Sequence, residues 1–131
     1  MLLSEECTVE VSQAEAREAA RLFAGILAAT PQYEGFDLAR RQLQQDATAQ
    51  QAIRDFQQKQ QHLQMMQMWG AISESDQHEL HRLHERMMEI SSVQRYVNCQ
   101  EELARMCREV AQVISEAIGT DFVPQRSGCC G

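Results

Sequence analysis

Apolar residues recur at spacings of three and four along nearly the whole chain, and the few interruptions divide it into about five segments. None alternates as a strand would. Ser12 with Glu15 three residues on forms a capping-box pattern that predicts a first helix, with an apolar stripe of Ala16, Ala19, Ala20, Phe23, Ile26 and Leu27. Thr30-Pro31 ends it and restarts the chain, because proline disfavours helical dihedrals in its predecessor and fits the first position of a new helix. The second helix carries Tyr33, Phe36, Leu38 and Leu43. Asp46 caps a long third helix with Ile53, Phe56, Leu63 and Met66, which ends near Trp69 and Gly70.

The run Ser73, Glu74, Ser75, Asp76 reads as a loop closing into an N-cap, followed by a seam of Leu80, Leu83, Met87 and Ile90. Helices three and four then make an antiparallel hairpin. Ser91 with Gln94 is a further capping-box pattern, and behind it Tyr96, Cys99, Leu103, Met106, Val110, Val113 and Ala117 alternate spacings of three and four. A helix from Ser92 to Ile118 would be about 40 Å long, and its narrow seam predicts an oligomer, most simply a homodimer. Gly119 is a helix terminator. The expected organisation is an all-α elongated bundle: one helical domain over 1–119 and a flexible tail over 120–131, with Pro124, Ser127 and Gly128 before Cys129 and Cys130.

With 131 residues the chain has the length of one domain. Its 44% hydrophobic but only 5% aromatic content means a core of aliphatic residues, and two prolines and six glycines are too few for a sandwich or barrel. A net charge of -7 repels phosphate backbones and anionic lipid, which argues against direct nucleic-acid or membrane-surface binding. The opening residues lack the basic and apolar regions of a signal peptide, and no apolar run approaches about 18 residues, so a cytoplasmic chain is expected. There the five cysteines are packing residues, ligands or redox groups before they are a disulfide framework.

The candidates for chemistry are few. His78, His81 and His84 follow one another by three, but the outer two diverge by roughly 120° on a helix, so a solvated polar face competes with a metal site. A di-iron bundle would need Glu three residues before His, and no histidine has one. Cys99 and Cys107 are about 12 Å apart along one helix, too far for a mutual disulfide, and packing is the simplest role for both. Cys7 is an uncommitted thiol. Cys129 and Cys130 sit in a glycine-flanked end where packing does not explain them, which points to a ligand or redox role, although two thiolates are half of what an iron-sulfur cluster usually takes. Met65, Met66, Met68 and Trp69 at the hairpin tip, with Met87 and Met88 on the return helix, form either an adaptable partner-binding surface or hairpin core. The absence of a glycine-rich phosphate loop, a nucleophile elbow and a Cys-His dyad argues against an enzyme.

Taken in order, helix one, Thr30-Pro31 with Tyr33 and Phe36, Leu43 with Asp46 opening a glutamine-rich helix containing Ile53 and Phe56, and the closing run Val93, Tyr96, Glu102, Leu103, Val110, Ile114, Ser115, Ile118, Gly119 resemble the YlbF/YmcA family of bacterial helical regulators. The resemblance covers roughly Ser12 to Gly119 and implies a helical, often dimeric fold. It further implies a non-enzymatic regulator that joins YmcA-like and YaaT-like proteins in a complex supporting endoribonuclease Y in messenger maturation, with effects on competence, sporulation and biofilm formation. That complex is associated with iron-sulfur clusters, and Cys129 and Cys130 match the cysteine-containing tail of YlbF-like members, here shortened to two adjacent residues. An iron-sulfur or metal carrier that uses the Cys pair, and a coiled-coil chaperone or structural module, are the alternatives from other classes.

Overall fold

A computed structural model describes the backbone of residues 2–123 and the side chains of residues 12–123. The described residues form five helices and no strand: α1 (Leu2–Ala28), α2 (Pro31–Gln45), α3 (Ala47–Gln67), α4 (Glu74–Met88) and α5 (Ser91–Ile118). Short-range capping chemistry sets the breaks between them. The Thr30 hydroxyl donates to the Leu27 carbonyl at 2.7 Å and accepts from the Tyr33 N–H at 3.2 Å, so one side chain closes α1 and opens α2. Asp46 accepts from the Ala49 N–H at 3.1 Å to cap α3, and the Gln50 side chain donates to the Leu43 carbonyl at 2.8 Å to satisfy the end of α2. Ser73 caps α4 by accepting from Asp76 N–H, and Gly119 ends α5 at φ 75°, a left-handed conformation that favours glycine.

Two expected starts are corrected. α1 continues through Ser12, because nothing N-terminal to that residue breaks a helix and a Ser-x-x-Glu pattern is also tolerated in a helix interior. Cys7 therefore lies on α1, outside the residues whose side chains are described. At α5 the cap position is Ile90, which has no capping side chain; Gln94 reaches back instead to the Met88 carbonyl at 2.8 Å. Ser92 is drawn off by a tertiary bond, its hydroxyl donating to Asp46 at 2.7 Å.

The helices assemble as one long folded-back hairpin. α3 pairs with α4 and α2 with α5. Register follows from the cross-links: Lys59 meets Asp76 at 3.0 Å and the Phe56 ring lies 5.5 Å from that of His84, while beyond the α2–α3 break Asp46 meets Ser92, Gln42 meets Arg95 and Phe36 meets Tyr96. Further along, α1 lies opposite the C-terminal half of α5, with Ala16 to Phe23 facing Cys107 to Ile114. The outgoing limb is thus α1, α2 and α3, and the return limb α4 and α5. The described chain is two helices thick along its length.

That thickness limits the core. Leu43, Ala49 and Val93 form a buried cluster against which Ile53, Met87, Met88, Ile90 and Tyr96 are partly packed, and Leu63 and Leu83 are buried within the hairpin. Leu38, placed on the apolar side of α2 by its spacing, is half exposed because that helix packs principally on α5 alone.

Leu63→Ala removes a buried side chain and is expected to cost about 2 to 3 kcal/mol, whereas Leu38→Ala should stay within about 0.5 kcal/mol, both read by urea unfolding. Equal effects would mean that the hairpin seam is not the core. The Asp46 carboxyl is held below its usual range first by the Ser92 hydroxyl and then by the Ala49 N–H, and that of Asp76 first by the Lys59 ammonium and then by Ser73. Groups depressed in the fold stabilise it fully above their unfolded value of about 4 and lose that contribution as pH falls through the folded value. Asp46→Asn should therefore lower Tm at neutral pH, with the gap to the native chain closing in acid; a gap unchanged with pH would show that the carboxylate charge is not what holds this junction.

Candidate protein-docking surfaces

At the closed end of the hairpin, α3 terminates at Gln67 and the chain turns through Met68, Trp69 and Gly70 before Ser73 restarts it. This turn has no third helix above it. Trp69 is 90% and Met68 84% exposed, and Met65 is also largely in solvent. Met65, Met66 and Trp69 follow His62 by three, four and seven residues, which puts them on one face, and they line an open cleft of about 370 Å³ with Gly70 and Ala71. The core-packing alternative fails for these residues.

Met87 and Met88 do not join them. They end α4, at the far end of the hairpin from the tip, and pack against Leu43, Ala49 and Val93. An antiparallel hairpin puts residues just after its turn beside the tip and those a full helix later at its base, so the expected six-residue surface is divided into an exposed tip and a core pair.

A second apolar surface lies at the open end. Ala16, Ala19, Ala20 and Phe23 of α1 face Cys107, Val110, Ala111 and Ile114 of α5 across a groove of about 540 Å³, closed at one end by Phe122 and Val123. On the flanks of α1, Leu22 is 68% and Ile26 59% exposed. The α1 stripe was visible in the sequence, but its opposite wall was not, since the residues concerned lie some ninety positions away. No periodicity reports that.

The expected α5 oligomer seam is also divided. Tyr96 belongs to the chain's own core, 5.4 Å from Phe36. Cys99, Leu103 and Met106 are half-buried, Val110 lines the groove, and Val113 is exposed on another side. α2 covers the first part of the seam because it is tied antiparallel to it through Gln42 and Asp46. Both Cys99 and Cys107 are free thiols; Cys107 is exposed on the groove wall instead of packed. His81 pairs with Glu85 at 2.9 Å, His84 turns to Phe56 and His78 is exposed, so the three do not converge. Among the described residues no cluster of three or more His, Cys, Asp or Glu could hold a metal ion. Cys129 and Cys130 lie outside the described residues. No helix among the described residues is long and apolar enough to cross a membrane.

The site so defined is a pair of exposed apolar surfaces at opposite ends of a thin helical hairpin, the form of a protein-docking module. Residues 16–119 match the family model described as control of competence regulator ComK, YlbF/YmcA, and the chain belongs to the YlbF/YmcA family. It is 31% identical over 108 residues to a UPF0342 protein of Desulfitobacterium hafniense (strain Y51), a match covering 82% of this chain and 86% of that protein. Its fold is similar to that of a chain in the X-ray crystal structure of Bacillus subtilis RicA in complex with RicF, with a TM-score of 0.73 at 17% identity over 81% of this chain and 95% of that chain.

Trp69 is the only tryptophan and reports directly on the tip. The free protein should show the emission of a solvated indole, fully accessible to a soluble quencher. A blue-shifted, protected indole in the free chain would mean that the tip is already covered.

Proposed function

We propose that this protein is a non-enzymatic regulatory adaptor whose hairpin tip docks a protein partner. The observation that carries the reading is the exposed tip itself: Trp69 and Met68 stand in solvent with Met65 beside them, where a monomer gains nothing from them and a partner gains a large apolar and adaptable contact. Family membership supplies the regulatory setting, and the fold is that of a protein captured in complex with another, RicA with RicF. The partners proposed are YmcA-like and YaaT-like proteins, acting with endoribonuclease Y in cytoplasmic messenger processing and through it on competence, sporulation and biofilm formation. The net charge of -7 favours contact through proteins over direct contact with RNA. The working unit is a single helical domain over 1–119, self-associated, with 120–131 as a tail.

An iron-sulfur cluster enters this reading only as a shared group. Cys129 and Cys130 would supply two thiolates where a cluster usually takes four, and the described residues offer no ligand cluster to complete the set. Among the described residues no donor set completes a cluster, and in this reading the remaining ligands come from a partner.

An anaerobic pull-down from the native host tests both parts, comparing the intact chain with Trp69→Ala and with a Cys129→Ser, Cys130→Ser variant and measuring iron and sulfide in each eluate. The intact chain should recover a ribonuclease-linked complex containing iron. Trp69→Ala should weaken partner binding by about 2 kcal/mol, roughly thirty-fold in affinity, while the cysteine variant keeps the partners and loses iron. Equal recovery by Trp69→Ala sinks the docking role of the tip, and iron-free partners throughout sink the cluster.

A further inference from the structure

We propose that Met65 and Met68 at the hairpin tip are a reversible oxidation site, and that conversion of their thioethers to sulfoxides by a peroxide releases the docked partner. The proposal rests on the docking role of the tip and adds its regulation. The fold sorts the methionines into two sets. Met68 is 84% and Met65 65% exposed, and Met66 between them 36%, whereas Met87 and Met88 pack against the Leu43, Ala49 and Val93 cluster and Met106 is half-buried. A peroxide has to reach a sulfur to oxidise it, so exposure decides which thioethers react. The shape of the tip does not depend on those sulfurs. Its turn is closed by the Met68 N–H donating to the Met65 carbonyl at 3.2 Å and the Trp69 N–H to the Met66 carbonyl at 3.0 Å, and neither Met65 nor Met68 packs on the buried cluster. Oxidation there alters the surface and leaves the hairpin folded, whereas the same chemistry at Met87 would put a polar group into the core.

The composition of the tip makes that alteration large. From Gln60 to Ser73 no residue is Asp, Glu, Lys or Arg, although 24% of the chain is charged. A partner is therefore held here by apolar contact and not by charge, and Met65 and Trp69, four residues apart, share the face that lines the cleft. In the oxidation the sulfur lone pair attacks one peroxide oxygen: an S–O bond forms, the O–O bond breaks, and the proton on the transferred oxygen passes to the departing hydroxide, which leaves as water. Sulfur gives up two electrons and the peroxide gains them. The sulfoxide oxygen is a strong acceptor that loses its water on docking while an apolar partner surface offers it no donor, so each one buried should weaken binding roughly ten-fold. A methionine sulfoxide reductase reverses the step, two thiols becoming a disulfide as the oxygen leaves in water.

The test treats the full chain with hydrogen peroxide and then with dithiothreitol, which returns disulfides and sulfenic acids to thiols but leaves sulfoxides in place. Sulfoxide at each methionine is timed by peptide mass spectrometry, with helix content followed alongside. Met65 and Met68 should oxidise roughly ten-fold faster than Met87 and Met88 with the helix content unchanged, and a methionine sulfoxide reductase with its dithiol should restore both. In the native-host pull-down the oxidised chain should recover at least roughly ten-fold less partner. Met65→Gln with Met68→Gln should imitate that loss without treatment, and Met65→Leu with Met68→Leu should keep its recovery through treatment. Equal oxidation rates at tip and core, loss of helix on oxidation, or a leucine variant that loses its partner on treatment as the native chain does overturns the proposal. Undiminished recovery by Trp69→Ala sinks the tip reading and the switch with it, whereas a loss in Trp69→Ala beside full recovery by the oxidised native chain sinks the switch alone.

Discussion

The rest of this structure depends on a constraint of thickness. A helix buries only the stripe that faces a neighbour, and here each helix has one principal neighbour across the hairpin, so the core is a single file of contacts from Leu63 and Leu83 to Leu43 and Val93. Small residues fill the closest approaches: Ala39, Ala49 and Ala52 are buried while Leu38 is half in water. Two helices can bury a seam between them, but the outer side of that seam stays wet. Exposed apolar surface at both ends is therefore a consequence of the architecture.

Given so thin a core, the junctions between helices have to hold direction by hydrogen bonds. Thr30 serves two helices with one hydroxyl. Asp46 caps α3 and accepts from Ser92 on the return limb, so the break in one limb is tied to the start of the helix opposite. Near the tip the Lys59–Asp76 pair is only partly exposed and links α3 to α4, with Ser73 donating to the same carboxylate. The remaining ion pairs lie within single helices in solvent, where such pairs contribute little. The ties across the limbs matter more, because they maintain the register that keeps Phe36 on Tyr96 and the buried cluster closed.

The two ends of the hairpin differ in chemistry. The tip is compact, presents one large aromatic and several flexible thioethers, and projects from the molecule, as suits contact with a differently shaped surface. The open end is lined with small and branched residues of α1 and α5, together with Phe23 and the Cys107 thiol.

Local chemistry determined most of the fold from sequence alone. The breaks at Thr30-Pro31, Asp46, Ser73 and Gly119 and the hairpin of α3 and α4 follow from capping, proline and glycine preferences that act over a few residues, and the order of helix positions was enough to place the chain in its family. Local patterns failed where a competing partner was remote: Ser92 went to Asp46, and Ser91-Gln94 did not form a capping box. Only the tertiary structure decided which apolar stripe faces which. Tyr96 and Met87 entered the core, Met68 and Trp69 stayed outside it, and α1 met Cys107 to Ile114. Spacing along a helix specifies a face, whereas the neighbour that covers the face is set by how the limbs fold back, a property of residues tens of positions apart.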